Sequence, residues 1–466
     1  MAAGSARHDA CGAAGAAGAG QARAMTFDFE GQGGSEPQLE RFPDMGERET
    51  SGQATGGREI VLVTRMTTGN QGNQALSIAL RDFLAESFPD VPLRLIERAP
   101  SYMRQLSAAK LGRRRDPVAA FERAAQRLVA RRDASVPPPP IGDNRVCYDK
   151  AMAGIVRFEG LRSRLQLRQW MRRLGVYRRA IDERLALFAA AGRVIVNPAG
   201  EFNPVAADIA LAYLLDIRCA QLLNPAVYAI NLSFEVEDPV VQAISVHVFD
   251  RCRAVAVREE ASVAHYAAAG GTRTPVMVPD ASTLHRPKAK LPAIAQKAGL
   301  ILNYLQIANN NLVDEVTDFI AAFGREHPGF VLTSNEWATD IPLWKARCEA
   351  LIPATSPEGT SYERYMEELA GYDLIVSSRL HTCALAIVAG TPVVPIEIGT
   401  FKITEFFANL GLADGVVRIG DAGWAERTLA RARTVEADPA TVAREQAAAM
   451  LAAGDGVRRQ LRAILT

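Results

Sequence analysis

The chain has 466 residues, 48% of them hydrophobic, and a formal net charge of +1. It is too long for one compact core, so two domains with additions are expected, and its balanced charge provides no global field for nucleic acid. The six cysteines, at 11, 147, 219, 252, 348 and 383, include no CxxC and no close pairing with histidine, which argues against a zinc site or a disulfide framework and fits a reducing cytoplasm. No run of about 18 apolar residues offers a membrane span.

Taken in chain order, positions 1–57 are Gly, Ala and polar side chains without periodicity and are expected to be disordered. "AAGAAGAG" is too weakly apolar for the core of a signal peptide, and Met25 is an alternative start. "REIVLVTRMTTGNQGNQALSIALRDFLAESFPD" (58–90) opens the folded part. Ile60 to Val63 is a continuous apolar strand, as in a parallel sheet covered on both faces. A Gly/Asn loop follows, and Leu76, Leu80, Phe83 and Leu84 then share one helical face. "PLRLIE" is the next strand, which completes a βαβ unit. Further strands are predicted at 193–198, 226–231, 254–259 and 276–280, with helical patterns between them.

Residues 101–190 interrupt this series with 20 Lys and Arg against 8 Asp and Glu. Leu161, Leu165, Trp170, Leu174 and Tyr177 stand among arginines at helical spacing. The segment reads as a solvated helical hairpin packed on its domain, or as a surface for anionic lipid head groups. No nucleic-acid motif accompanies the charge. The tetraproline 137–140 is a stiff break within it.

A linker, "HRPKAKLPAIAQKAG" (285–299), leads to a second series. It comprises a strand at 300–305, a helix at 312–326, the strand "GFVLTSN", a helix at 361–370, and "DLIVSSRLHTCALAIVAGTPVVPI" (373–396) as strand, helix and strand. The C-terminal end forms Ala- and Arg-rich helices. The predicted organisation is a tail (1–57), a first domain (58–285) carrying the basic insertion, a second domain (286–435) and C-terminal helices (436–466). Two such series predict an α/β protein with two Rossmann-like, doubly wound domains facing a cleft. Ligands of such sheets bind beyond the carboxyl ends of the strands, where the 65–73 loop and Arg379/His381 both fall.

The 373–396 stretch poses a question. A helix N-terminus already carries about half a positive charge, yet this one opens on Ser377, Ser378, Arg379 and His381. Cations placed there cost stability unless an anion occupies the site. Ser378 is the expected N-cap and His381 the third helical residue; Gly390 and Pro392 end the element. Two hydroxyls, a guanidinium and an imidazole make a phosphate or carboxylate pocket, although a lone histidine in an apolar helix is commonly structural. Arg258 ends a buried strand and reads either as a second anion clamp or as a partner of Glu259 or Glu260. Asp280, at another strand end, reads equally as an acid/base group or an Asx cap. In "TTGNQGNQAL" the glycines mark close backbone approach, and Asn70 and Asn73 suit a hydroxyl-rich ligand; a plain strand–helix turn fits equally. The loop is not a G-x-G-x-x-G and lacks the P-loop lysine.

Together these residues resemble a family. "SSRLHTCALAIVAGTPVVPI" followed by "FKITEFFANLGL" is similar to the C-terminal signature of the polysaccharide pyruvyl transferases: S-x-R-L-H, a small-residue helix, G-x-P-V, then K-[VI]-x-x-F and L-G-L. "TTGNQGNQAL", "AVREEAS" and "VPDAS" resemble three further elements, in order, over about 60 to 412. Asn73 stands where the family often has Asp, and "NPAGEFNP" (197–204) where many members have a Gly run; both touch the acceptor side.

The resemblance implies a GT-B-like pair of Rossmann-type domains and phosphoenolpyruvate as donor substrate, with no cofactor. Its pyruvyl unit would pass to two hydroxyls of one sugar, polymeric or lipid-linked, as a cyclic ketal. Arg258 and Arg379 would clamp the donor's phosphate and carboxylate, and His381 would be the acid/base group. Asn70, Gly72, Asn73, Asp280, Ser378 and Leu380 would line the substrates, and Lys402 would add charge at the far rim. No metal is demanded, since arginines can neutralise the leaving phosphate. A cytoplasmic enzyme, peripheral at the inner membrane face, is expected. The alternative is a GT-B glycosyltransferase that uses the same helix N-terminus for a nucleotide-sugar diphosphate.

Overall fold

The structure, a computed structural model, describes residues 58–65, 70–98, 100–139, 175–204, 206–287, 297–356 and 361–466. The N-terminal tail, residues 66–69 of the first loop, most of the linker, and residues 140–174 of the insertion with Leu161, Leu165, Trp170 and Leu174 lie outside the described residues.

The first series runs β1 (Ile60–Thr64), α1 (Gln71–Ser87), β2 (Leu93–Glu97), α2 (Ala108–Leu111), α3 (Pro117–Ala130), α4 (Val176–Ala190), β3 (Arg193–Val196), α5 (Ala207–Leu223), β4 (Val227–Leu232), α6 (Pro239–Phe249), β5 (Ala254–Val257), α7 (Glu260–Ala268) and β6 (Val276–Met277). All its strands pair in parallel, in the order β2-β1-β3-β4-β5-β6. β1 and β4 are buried along their whole length, which explains their unbroken apolar runs. β4 carries a register shift between Ala229 and Leu232, where Asn231 adopts a left-handed φ of 58°.

The second series runs β7 (Ala298–Ile301), α8 (Tyr304–Asn309), α9 (Val313–Glu326), β8 (Val331–Leu332), α10 (Trp337–Cys348), β9 (Ala354–Thr355), α11 (Tyr362–Ala370), β10 (Leu374–Ser377), α12 (Leu380–Val388), β11 (Val393–Glu397), α13 (Lys402–Asn409), β12 (Val417–Arg418), α14 (Trp424–Ala437) and α15 (Pro439–Leu465). Its sheet order is β12-β11-β10-β7-β8-β9, again all parallel. The strand order reverses between β10 and β7, as in the doubly wound dinucleotide folds. Both halves are therefore Rossmann-like and doubly wound, as predicted.

Three features have local causes. The expected strand 300–305 ends at Ile301, because the Asn303 side chain accepts from the Gln306 N–H and caps α8. The described ends of the basic insertion pack on the first core through Phe121, Ala125, Ile181, Leu185 and Phe188. Its arginines are partly spent in pairs: Arg184 with buried Asp216 (2.5 Å), and Arg179 with Glu183 (3.0 Å). The last helix, α15, spans both halves. Met450 packs with the second core, and Val457, Leu461 and Leu465 pack beneath β1 with Ile60 and Leu62. Gly454 permits the crossing, since a Cβ there would collide with the Thr283 carbonyl oxygen.

Candidate active site

The exits of β10 and β7 flank the point where the second sheet reverses its strand order. The Ser378 hydroxyl accepts from the Asn303 N–H (2.8 Å), and the Ser377 hydroxyl accepts from the Arg379 N–H (3.0 Å). Both hydroxyls are thus occupied by backbone. The N-cap is accordingly Arg379 rather than Ser378, with φ −111° and ψ 113° and no side-chain cap bond. His381 becomes the second helical residue rather than the third. Gly390 closes the helix with φ 81°.

Arg379 is largely buried, its side chain 11% exposed, and turns toward the start of α10. Its Nε and Nη2 donate to Asp340 Oδ2 (3.0 and 2.5 Å), and Nη1 donates to Glu336 Oε2 (2.6 Å). The anions at this helix N-terminus are therefore the protein's own carboxylates, which the local sequence around residue 379 does not reveal. The signal lay well upstream, in the two carboxylates of "SNEWATD" just past a strand. Burial raises the Asp340 carboxyl and outweighs the pull of Arg379 and Ser334. Burial also opposes the Arg379 charge, but Asp340 and Glu336 reverse that effect and hold the guanidinium protonated. Glu336 is the open side of the cluster, with its side chain 38% exposed against 1% for Asp340.

Arg258 is more deeply buried. Its Nε donates to Ser233 Oγ (2.7 Å) and Glu259 Oε1 (2.8 Å), and its Nη1 donates to Asp280 Oδ2. The pairing with Glu259 considered from sequence is thus present. Glu260 instead uses its backbone N–H on Glu405 of α13. Arg258 Nη2 faces the 197–204 segment, where a Cβ on Gly200 would stand 3.3 Å away. Of its two expected roles, Asp280 shows the Asx cap. Its Oδ1 accepts from the Ser282 N–H (2.8 Å), an Asx cap, while Oδ2 meets Arg258 and lies 3.7 Å from His381 Nε2. Burial alone would raise the Asp280 carboxyl, but Arg258 above all, with His381 and Ser282, holds it well below the usual carboxylate range. His381 Nε2 is buried and has no hydrogen-bond partner among the described residues. The fold therefore gathers Arg258, Asp280 and His381 from three strand ends of two sheets.

The described part of the first loop serves this contact between the sheets. Asn70 caps α1 by accepting from the Asn73 N–H (3.2 Å) and from Asn335 Nδ2 (3.2 Å), and it donates to Glu336 Oε2 (3.4 Å). The Gln71 N–H donates to the Asn335 carbonyl (3.0 Å). The close approach expected at Gly72 is made to His381 and Asn335 of the second half, and so is accounted for within the protein. Asn73 is half-buried and Leu380 opens α12. Lys402, expected at the far rim, is neutralised across the two halves by Glu235 (2.9 Å).

Among the described residues, no group of three or more His, Cys, Asp or Glu is placed to hold a metal ion, and no helix is long and apolar enough to cross a membrane.

Comparison with known proteins adds a family. The model of the family described as polysaccharide pyruvyl transferase matches residues 70–400. No curated protein matches. Solved structures with similarity include the spinosyn rhamnosyltransferase SpnG, at 12% identity and TM-score 0.36, covering 87% of this chain and 99% of that one. The α,α-trehalose 6-phosphate synthase of Burkholderia multivorans has 11% identity and TM-score 0.46, with coverage of 88% and 98%. TarM of S. aureus has 11% identity and TM-score 0.39, with coverage of 60% and 59%. The fold assignment rests on the two strand orders, not on these likenesses.

Proposed function

The chain belongs to the polysaccharide pyruvyl transferase family, and from that premise we propose that it transfers the pyruvyl group of phosphoenolpyruvate to two hydroxyls of one sugar, in a polysaccharide or its lipid-linked precursor. Two C–O bonds form at C2 of the donor to make a cyclic ketal, and the C2–O bond to phosphate breaks. One hydroxyl proton ends on the methylene carbon, which becomes a methyl group; the other leaves with the phosphate.

The observation that carries this reading is the buried Nε2 of His381, without a hydrogen-bond partner among the described residues and 3.7 Å from the Asp280 carboxylate that Arg258 holds. Proton delivery to the enol carbon and proton removal from a hydroxyl both call for a group that titrates near neutrality. An ionised Asp280 stabilises the imidazolium formed between those steps. The donor's two anionic groups take the guanidinium of Arg379, displacing the exposed carboxylate of Glu336, and the Nη2 edge of Arg258. A folded helix end and two fixed cations stabilise the departing phosphate without reorganisation.

The test is phosphate release from phosphoenolpyruvate with a panel of glycan acceptors, together with a thermal-shift donor screen. A ligand at 100 times its Kd stabilises by about 2.7 kcal/mol, so phosphoenolpyruvate should raise the melting temperature and nucleotide-sugars should not. The reverse pattern would replace this reading with a glycosyltransferase.

We propose further that the enzyme is cytoplasmic and meets an anionic membrane face through α2 and α3. Lys110, Arg113, Arg114, Arg115, Arg123, Arg127 and Arg131 are exposed there. The Ala108 N–H donates to Asp208 Oδ1 at the start of α5 (2.8 Å). That contact ties the start of α2 to the start of α5, and in this reading a lipid-linked acceptor reaches the enzyme from the membrane side.

A further inference from the structure

At the point where the first sheet reverses its strand order, the ends of β1 and β3 carry a second polar cluster that the donor chemistry leaves unused. Its centre is Glu201. Glu201 Oε1 accepts from Arg98 Nη2 (2.6 Å) and Arg65 Nη1 (3.1 Å). Arg98 is a rigid mount: its side chain is 2% exposed, its Nη1 donates to the Pro198 carbonyl (2.9 Å), and its guanidinium lies 5.5 Å above the ring of Tyr213. The other oxygen, Oε2, takes no donor among the described residues. Arg65, whose side chain is 39% exposed, gives only Nη1 to a partner among the described residues. A fixed carboxylate oxygen thus stands beside unspent guanidinium N–H groups.

The cluster adjoins the reacting groups. Gly200, the neighbour of Glu201, lies against Arg258, which holds Asp280 and through it faces His381. The backbone around it is held under strain. Ala199 and Asn231 both have left-handed φ, at 52° and 58°. Asn231 is pinned by donating to Asn197 Oδ1 (3.1 Å) and accepting from the Ala281 N–H (2.9 Å). Non-glycine residues persist in that region only where their surroundings over-determine them.

A sugar hydroxyl both donates and accepts, a carboxylate only accepts, and a guanidinium only donates. One of each, side by side, matches two neighbouring hydroxyls of one ring. We propose that Arg65 and Glu201 form the glycan-acceptor subsite, binding a glycosyl unit through hydroxyls other than the two that become the ketal. Arg98 is a positioning residue for Glu201. The subsite rests on the pyruvyl-transfer reading for its role in turnover, but not for its capacity to hold a glycan.

The experiment uses the full chain with Glu201→Gln, which keeps the shape of the side chain, and Arg65→Ala, which leaves the Glu201–Arg98 pair intact. Phosphate release at saturating phosphoenolpyruvate should show the acceptor KM raised about tenfold or more in each variant, the range for losing a charged hydrogen bond. Phosphoenolpyruvate affinity, measured by calorimetry, should stay the same. An unchanged acceptor KM in both variants overturns the subsite, and so does an equal weakening of donor and acceptor. Glycan retention without donor separates the two readings. If wild type releases no phosphate with any acceptor, the pyruvyl-transfer reading fails. The subsite then stands if wild type retains a glycan that both variants lose, and falls if retention is absent or equal.

Discussion

Gly72 of α1 and His381 of α12 meet across the two sheets so closely that a Cβ on residue 72 would lie 2.5 Å from the His381 Cβ and 2.8 Å from its Nδ1. The imidazole is thus set by a glycine of the other half. In a helix, alanine is favoured over glycine by roughly 0.5–1 kcal/mol, so a neutral site would gain stability from Gly72→Ala. We expect the opposite: a lower melting temperature, and kcat lower by on the order of a hundredfold, the cost of misplacing a reacting group by about 1 Å. A variant that melts higher and turns over normally would show that this contact does not position His381.

For His381→Asn, a polar side chain of similar reach remains but proton transfer is lost. Turnover should fall about a hundred- to ten-thousand-fold, while phosphoenolpyruvate affinity falls much less. Equal loss of both would make His381 a ligand-holding residue. If steady-state kinetics and calorimetry both stay at wild-type values, it is a core histidine.

Arg379→Ala should abolish phosphoenolpyruvate binding, with truncation of a charged partner costing about 2 to 5 kcal/mol. It also strands the buried carboxylate of Asp340, and breaking a buried pair typically destabilises by about 3–5 kcal/mol. The two effects separate in the double variant Arg379→Ala/Asp340→Asn, in which thermal stability should recover but calorimetric donor binding should not. Recovery of both would remove Arg379 from the donor site.

Glu122 of α3 gives a pH prediction. Hydrogen bonds from Arg218, then His247, overcome partial burial and lower its carboxyl from 4.5 to about 2. A depressed carboxyl stabilises the fold above its unfolded value, and that contribution is lost as pH falls from about 4.5 toward about 2. Thermal melts from pH 7 down to 3 should therefore show wild type above Glu122→Gln at neutral pH, with the gap narrowing below about 4.5. A constant gap would show that the ion pair is not the source.

The basic face of α2 and α3 should bind anionic vesicles at low salt and release them as salt rises, since each Lys or Arg at such a surface contributes about 1 kcal/mol. Reversing Arg113, Arg114 and Arg115 to Glu should abolish co-sedimentation and leave turnover with a soluble acceptor intact. Equal binding to neutral and anionic vesicles would leave only a solvated, packed hairpin.

The sequence by itself determined the two βα series, because strands buried on both faces need continuous apolar runs and their connections need amphipathic helices. It also determined that Arg258, Asp280 and His381 fall at strand ends, because motif position is a local property. Where a boundary depended on one side chain choosing between partners, it went astray. Asn303 ended β7 early by capping α8, and Ser378 lost the cap of α12 by bonding Asn303.

Only the tertiary structure decided what surrounds each charge. Arg379 looked like a cation awaiting an anion, but Glu336 and Asp340, from the far side of α11 and β10 in the chain, already supply two. Gly72 marked a close backbone approach, and the residue it approaches is His381. Glu201 carried no local sign of its two arginines, Arg65 and Arg98, which come from the far end of the first series. The reason is that strand-end side chains are exposed to whatever the next strand end brings. Which strand lies next is fixed by sheet order and by docking of the two halves, and no local spacing encodes either.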